Sequence, residues 1–267
     1  MKIILDAMGG DNAPQAPVEG AVLAAERYGC DIFLTGDEAR LSALLQGRGA
    51  GHITIVPTTE VISMEDKPST AIRQKKDSSM SVGLRMLAEG QADAMISAGS
   101  TGALLTGATL VTKRIKGVRR AALGTLVPQQ NGGKAILMDC GANAECTPEY
   151  LVQFALMGYL YMKCQQGVER PRVALVNNGA EEGKGDPLRQ ETYRLLQQAH
   201  AEGRICFVGN LEGRDIFSGS AEVLVCDGFT GNVLLKTVEG TAGFLLRELK
   251  DMFYANGLSK LAALVLK

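Results

Sequence analysis

One recurring pattern decides what this chain can fold into. Short apolar runs, often β-branched, end in a polar glycine-rich turn and are followed by a segment of helical period, from one end of the sequence to the other. The first unit is Lys2–Leu5, then Asp6-Ala7-Met8-Gly9-Gly10-Asp11-Asn12-Ala13-Pro14, then a helix over Val18–Tyr28 with Val18, Val22, Leu23 and Ala25 at its spacing. Asp31–Gly36 and Ile53–Pro57 read as strands flanking a helix around Glu38–Gln46. Ala92–Ser97 reads as a strand that runs into Ala98-Gly99-Ser100-Thr101-Gly102 and a helix from Ala103 to Lys113. The scheme returns at Ala135–Met138 before Asp139-Cys140-Gly141-Ala142-Asn143, and at Arg172–Val176 before Asn177 to Gly185. Ile205–Val208 precedes Gly209-Asn210, and Glu222–Val225 precedes Cys226 to Asn232 and a helix through Val233 to Glu239. Such alternation implies a three-layer α/β/α fold on a mostly parallel sheet. No composition break or Pro/Ser-rich linker divides residues 1–267, so one domain is expected, with two lobes around a cleft compatible with it. The glycine loops would gather outside the carboxyl ends of the strands, where open α/β sheets bind ligands.

Composition narrows the function classes. With 28 Lys+Arg against 29 Asp+Glu the net charge is -1, which gives no global attraction to nucleic acid. Met1–Leu5 meets an acid at Asp6, too short an apolar run for a signal peptide, and no stretch approaches the length of a spanning helix. A cytoplasmic protein is expected. The six cysteines show no CxxC and read as reduced thiols, and the two histidines, His52 and His200, suggest neither a hydrolase triad nor a metal site.

Glycines at a strand-to-helix turn let the backbone approach an anion, and Gly99-Ser100-Thr101-Gly102 adds two hydroxyls; the same residues also suit an N-capped tight turn. Asp6, Asp11, Asp139 and Asp227 would repel a phosphate and read as loop organisers. There is no P-loop and no dinucleotide fingerprint after a strand. Lys184, among Glu181-Glu182-Gly183-Lys184-Gly185, is placed either to meet a phosphate or oxyanion or to pair with its acidic neighbours. Arg73, Lys75 and Lys76, and then Lys113, Arg114, Lys116, Arg119 and Arg120, form basic groups that read as solvated helix ends or as contacts for an acidic partner or a phosphorylated ligand. Cys140 at a strand end reads as packing rather than as a nucleophile.

Taken in order, Asp6-Ala7-Met8-Gly9-Gly10-Asp11, Lys75-Lys76-Asp77-Ser78-Ser79-Met80, Ser97 to Ala103, Asp139 to Asn143 and Asp227 to Val233 resemble the bacterial phosphate acyltransferases of the PlsX family, over essentially the whole chain. The resemblance implies an acyl-acyl-carrier-protein:phosphate acyltransferase, making acyl phosphate for phospholipid synthesis. It implies a fold similar to phosphotransacetylase and isocitrate-dehydrogenase-like enzymes, with no cofactor. Ser100 stands where the family usually has Asn, and the family continues past Lys267 with Tyr-Gly-Gly and Lys-Ala-His-Gly segments that are missing here. With that reading, residue type suggests Gly99, Ser100, Thr101 and Gly102 as a phosphate cradle, Lys184 for phosphate charge or the oxyanion, and Asn232 as an oxyanion or orienting donor. Lys76 and Ser79 are secondary candidates for the phosphate or the pantetheine arm. The resemblance itself does not assign these roles.

Past Gly240, Leu245, Leu249, Met252 and Phe253 share a face, and Leu258, Leu261, Leu264, Val265 and Leu266 follow Gly257, which predicts an amphipathic helical hairpin over residues 240–267. Core or dimer packing would explain such a stripe, and the resembled family implies a homodimer and peripheral membrane contact through a helical tip. The competing activities are a phosphotransacetylase acting on acyl-coenzyme A, a non-catalytic acyl-carrier or membrane-docking module, and, more distantly, a nicotinamide dehydrogenase.

Overall fold

Most apolar runs become strands close to where their composition ends, but the run at Ile205–Val208 continues as strand through Gly209 and Asn210 to Glu212, paired with its neighbour there. In the computed structural model, which describes residues 1–46, 48 and 51–255, the strands form two sheets, one in each of two units, Met1–Ala121 and Ala122–Lys267.

The first unit runs β1 (Lys2–Asp6), α1 (Gln15–Tyr28), β2 (Asp31–Gly36), α2 (Glu38–Leu45), β3 (Ile53–Pro57), α3 (Pro68–Gln74), α4 (Ser79–Ala88), β4 (Ala94–Ile96) and α5 (Thr101–Gly107). Its strands are parallel, in the order β3-β2-β1-β4. Helices cover both faces: Val18, Ala21, Val22 and Leu41 pack with Ile32 and Leu34, whereas Met86 of α4 packs with Ile4. Asp37 caps α2 by accepting from Arg40 N at 2.9 Å, and Ser78 caps α4 by accepting from Ser81 N at 3.2 Å. The helix expected from Ala103 to Lys113 is two pieces. After Gly107 the coil widens into a π turn over Ala108–Thr112, closed by Lys113 N bonding to Ala108 O at 2.9 Å. The Thr112 hydroxyl donates to the same carbonyl at 2.6 Å.

The second unit runs β5 (Gly124–Pro128), β6 (Lys134–Met138), α6 (Pro148–Gln165), β7 (Arg172–Asn177), α7 (Pro187–Ala201), β8 (Cys206–Glu212), β9 (Val223–Val225) and α8 (Gly228–Tyr254). The order is β5-β6-β9-β7-β8, parallel except for the β5–β6 pair. Alternate residues of the central strands enter different cores. Ile136, Val173, Leu175, Val223 and Val225 meet Phe154 and Leu151 of α6 and Leu196 of α7 on one face. Leu137, Ala174, Val176 and Leu224 meet Leu234, Leu235 and Val238 of α8 on the other. This two-sided burial is why the runs read as continuously apolar.

The last helix starts five residues before Val233 and passes straight through Gly240. Asp227 accepts from Thr230 N at 2.9 Å and so fixes the start, and Gly240 costs only about 1 kcal/mol in a helix of 27 residues. The far part of α8 leaves Phe244, Leu245, Leu246, Leu249 and Met252 exposed. The second arm of the expected hairpin, Leu258 to Leu266, lies outside the described residues. No helix among the described residues is long and apolar enough to cross a membrane.

Candidate active site

In the first sheet the chain leaves β1 toward β2 on one side and finds β4 on the other, so the loops after β1 and β4 flank the point where strand order reverses. Asp6, at the end of β1, is buried and ties these loops together. Its Oδ1 accepts from Met8 N and Gly9 N at 3.1 Å each, and its Oδ2 accepts from Ser97 Oγ at 2.7 Å. Ser97 Oγ in turn accepts from Gly99 N at 3.1 Å. The two loops touch through glycine backbones: a Cβ on Gly9 would lie 2.9 Å from Gly99 N.

Beyond that contact, Ser100 is buried and accepts from Ala103 N at 3.4 Å, the N-cap the residue type suggested. The N–H groups of Ser100, Thr101 and Gly102 have no hydrogen-bond partner among the described residues, as expected for a helix's first turn. Thr101 is exposed. Gly102 is held small by Pro68, whose Cγ would stand 2.9 Å from an added Cβ. Ser79 is buried at the start of α4, and the next residue, Met80, places its Cε 3.4 Å from where a Cβ on Gly99 would be. Lys76 lies elsewhere in the unit, exposed, on a depression shared with Arg73, Ser81, Arg85 and Leu110. Neighbouring Lys75 is committed to Asp66 at 2.6 Å, and that hydrogen bond, with the Ser63 backbone bond, holds the Asp66 carboxyl below its ordinary value.

In the second unit the ends of β6, β9 and β7 bring Asp139, Asp227 and Asn177 to one end of the sheet. Asp139 is wholly buried and accepts five hydrogen bonds: Leu123, Gly141 and Ala142 N–H on Oδ1, and the backbone and side-chain amides of Asn143 on Oδ2, all at 2.8–3.1 Å. A loop that spends its N–H groups on its own carboxylate has none left for phosphate, so 139–143 is scaffold. This contrasts with 100–102, whose N–H groups are free.

Arg189 of α7 is a residue the sequence reading did not single out. Its guanidinium donates to Asp186 Oδ2 at 2.7 Å, to Asp227 Oδ2 at 2.5 Å and to Thr230 Oγ1 at 2.8 Å, linking the N-caps of α7 and α8. The local signals were two capping patterns, Asp186-Pro187-x-Arg189 and Asp227-x-x-Thr230. Asn177 Nδ2 donates to the Lys184 carbonyl at 3.1 Å and so holds the loop that carries this lysine. The Lys184 side chain is exposed, lies over Gly179, and stands 4.0 Å from the Glu181 carboxylate. Asn232 is exposed one turn into α8. Its side-chain carbon would lie 3.8 Å from a Cβ on Gly141, a residue at φ +140. A 520 Å³ cavity adjoins this assembly, with Val176, Phe229, Val233 and Leu234 as apolar walls and Asn177, Asp186 and Arg189 as polar ones. Cys140 is no thiolate: burial pushes its pKa up, the Thr125 hydroxyl opposes this and the Asp139 carboxylate adds to it. Among the described residues no His, Cys, Asp and Glu cluster is placed to hold a metal.

The strand-end loops therefore bring Gly99, Ser100, Thr101, Gly102 and the start of α4 together in the first unit, and set Lys184 and Asn232 at the strand ends of the second. The family described as "Fatty acid synthesis protein" matches residues 1–267. A phosphate acyltransferase of Clostridioides difficile (strain 630) is 46% identical over 269 residues, covering 100% of this chain and 78% of the relative. The chain belongs to the phosphate acyltransferase family. Another member, from Streptococcus uberis (strain ATCC BAA-854 / 0140J), is 47% identical over 268 residues with the same coverage, 100% and 78%. Among solved structures, a phosphotransacetylase from Streptococcus pyogenes superposes with a TM-score of 0.67 at 17% identity, covering 91% of this chain and 82% of that one. A branched-chain phosphotransacylase from Enterococcus faecalis V583 gives 0.57 at 16% identity, covering 90% and 84%. These likenesses establish the three-layer α/β fold.

Proposed function

We propose that this protein transfers a fatty acyl group from acyl-carrier protein to inorganic phosphate, releasing acyl phosphate for glycerophospholipid synthesis. The observation that carries the reading is 46% identity, across the whole chain, to a phosphate acyltransferase. A phosphate oxygen attacks the thioester carbonyl carbon, an O–C bond forms, the C–S bond breaks, and the electron pair leaves on sulfur. A thiol of ordinary pKa, about 8.5, leaves without a strong acid. The protein's task is then to hold phosphate close and to stabilise charge, not to supply a nucleophile.

The loop at Gly99, Ser100, Thr101 and Gly102 is the proposed phosphate cradle, supported by its unpaired N–H groups and by the exclusion of side chains between Gly9 and Gly99. Lys184 supplies positive charge for the phosphate or the oxyanion, and Asn232 donates to the oxyanion or orients the thioester. Ser79 and Lys76 are assigned to the phosphate or the pantetheine arm. The exposed apolar arm of α8 supports a homodimer and peripheral membrane contact at the cytoplasmic face, a surface suited to a fatty product.

The test is Lys184→Ala assayed with palmitoyl-carrier protein at saturating phosphate. kcat is expected to fall at least a hundredfold, the scale of losing a charge-stabilising donor. Unchanged kcat with Lys184→Ala would remove the lysine from the mechanism.

A further inference from the structure

We infer that the cavity beside α8 in the second unit receives the acyl chain of the donor; this rests on the proposed acyl transfer and names where its fatty part lies. Phe229, Val233 and Thr237 line the cavity at intervals of four residues, one stripe of the helix about 12 Å long. Phe229 is 66% exposed and Val233 50% exposed, apolar surface left open to a 520 Å³ space that Val176 and Leu234 wall from below. Pockets of this size and lining bind small apolar ligands held by a few polar groups.

The charges in the wall select against an anion. Among the described residues Arg189 is the one cationic side chain lining the cavity, and its guanidinium is spent on Asp186, Asp227 and Thr230, so a phosphate or nucleotide entering would meet no free positive group of theirs there. An uncharged hydrocarbon needs none. Asn177, which lines the same cavity, holds the carbonyl of Lys184, so the apolar wall is continuous with the loop that carries the proposed charge-stabilising lysine. A thioester presented to that loop has its methylenes beside Val176, Phe229 and Val233. Each methylene taken out of water strengthens binding about fourfold.

The test compares acetyl-pantetheine with decanoyl-pantetheine by calorimetric titration on the full chain, wild type against Val233→Trp and Val233→Ala, alongside kcat/KM for butyryl- and palmitoyl-carrier protein. Wild type is expected to bind the decanoyl ester more than tenfold tighter than the acetyl ester. Val233→Trp, which fills the cavity from a half-exposed position, is expected to erase most of that ratio and to lower the palmitoyl-to-butyryl ratio of kcat/KM in parallel; Val233→Ala, which thins the same wall without filling the space, lowers both far less. Equal affinity for the two esters in wild type, or a ratio untouched by Val233→Trp, would overturn the inference. So would dissociation of a dimer by Val233→Trp with the chain-length ratio intact, which would assign this face to a second copy of the chain. If neither carrier-protein ester gives acyl phosphate, the proposed activity fails while the titrations still decide the cavity.

Discussion

Asp139 is the strongest test of the loop architecture, because a wholly buried carboxylate with five donors has no neutral equivalent. Asp139→Asn preserves shape but must turn an NH2 group toward one set of donors. The less costly choice keeps its carbonyl on the Leu123, Gly141 and Ala142 N–H groups and faces the NH2 toward the two donors of Asn143. Two charge-assisted bonds of about 1.5–3 kcal/mol each are then lost. The three retained bonds weaken too, since an uncharged acceptor is roughly half as strong. The expected destabilisation is at least about 3–6 kcal/mol, a large part of the roughly 5–15 kcal/mol that holds a domain together. The chain has no tryptophan, and five of its six tyrosines, Tyr150, Tyr159, Tyr161, Tyr193 and Tyr254, lie in the second unit, so tyrosine fluorescence during urea unfolding reads this unit selectively. At a slope of about 3 kcal/mol per molar the midpoint should drop by about 1 M or more. An unchanged midpoint with an unchanged slope would refute the claim that this carboxylate organises the loop.

Gly231→Ala and Gly107→Ala separate rigid from yielding contacts. The new Cβ would stand 2.0 Å from the Asp139 carbonyl oxygen in the first case and 2.3 Å from a Leu84 methyl in the second. Gly231→Ala should therefore abolish stable folding or activity, and Gly107→Ala should cost only about 1–3 kcal/mol in thermal unfolding. Arg189→Ala leaves Asp227 with no cationic partner among the described residues and should destabilise by about 3 kcal/mol in the same urea assay, with kcat falling because Asp186 and Thr230 lose their common anchor. Burial raises the Glu222 pKa, but the side-chain and backbone hydrogen bonds of Arg172 overcome this and hold it below 4.5. Its unfolded form binds more protons in that window, so its stabilisation is complete above pH 4.5 and lost as pH falls through the lower folded value. Glu222→Gln should flatten the acid limb of a stability–pH curve. Cys140→Ala should retain turnover, and the wild-type Cys140 thiol should resist iodoacetamide at pH 8 because burial raises its pKa.

Most strands were legible because parallel strands covered on both faces are continuously apolar, as in Asp31–Gly36 and Arg172–Asn177. β5 was not, since Gly124-Thr125-Leu126-Val127-Pro128 is bracketed by breakers and gains its pairing from β6 in the antiparallel sense. α6 was hidden for the opposite reason: it buries Leu151, Phe154, Ala155, Gly158 and Met162 while apolar residues also fill its other faces, so no single stripe stands out. α7 starts at Pro187 inside a polar run, and only its cap marks it. No change in composition near Ala122 announces the second sheet. The role of Asp6, Asp139 and Asp227 as loop organisers followed from charge alone, because unpaired carboxylates at these turns are poor company for phosphate. Arg189 did not, because its partner Asp227 is 38 residues away and no local spacing encodes that meeting.

The most direct measurement is phosphorus NMR of the 267-residue chain incubated with palmitoyl-carrier protein and inorganic phosphate, with free thiol counted in parallel. An acyl phosphate resonance is expected to grow in step with carrier thiol, with no thiol release when phosphate is withheld. Thiol release at the same rate without phosphate would mean hydrolysis, and would contradict phosphate as the acyl acceptor.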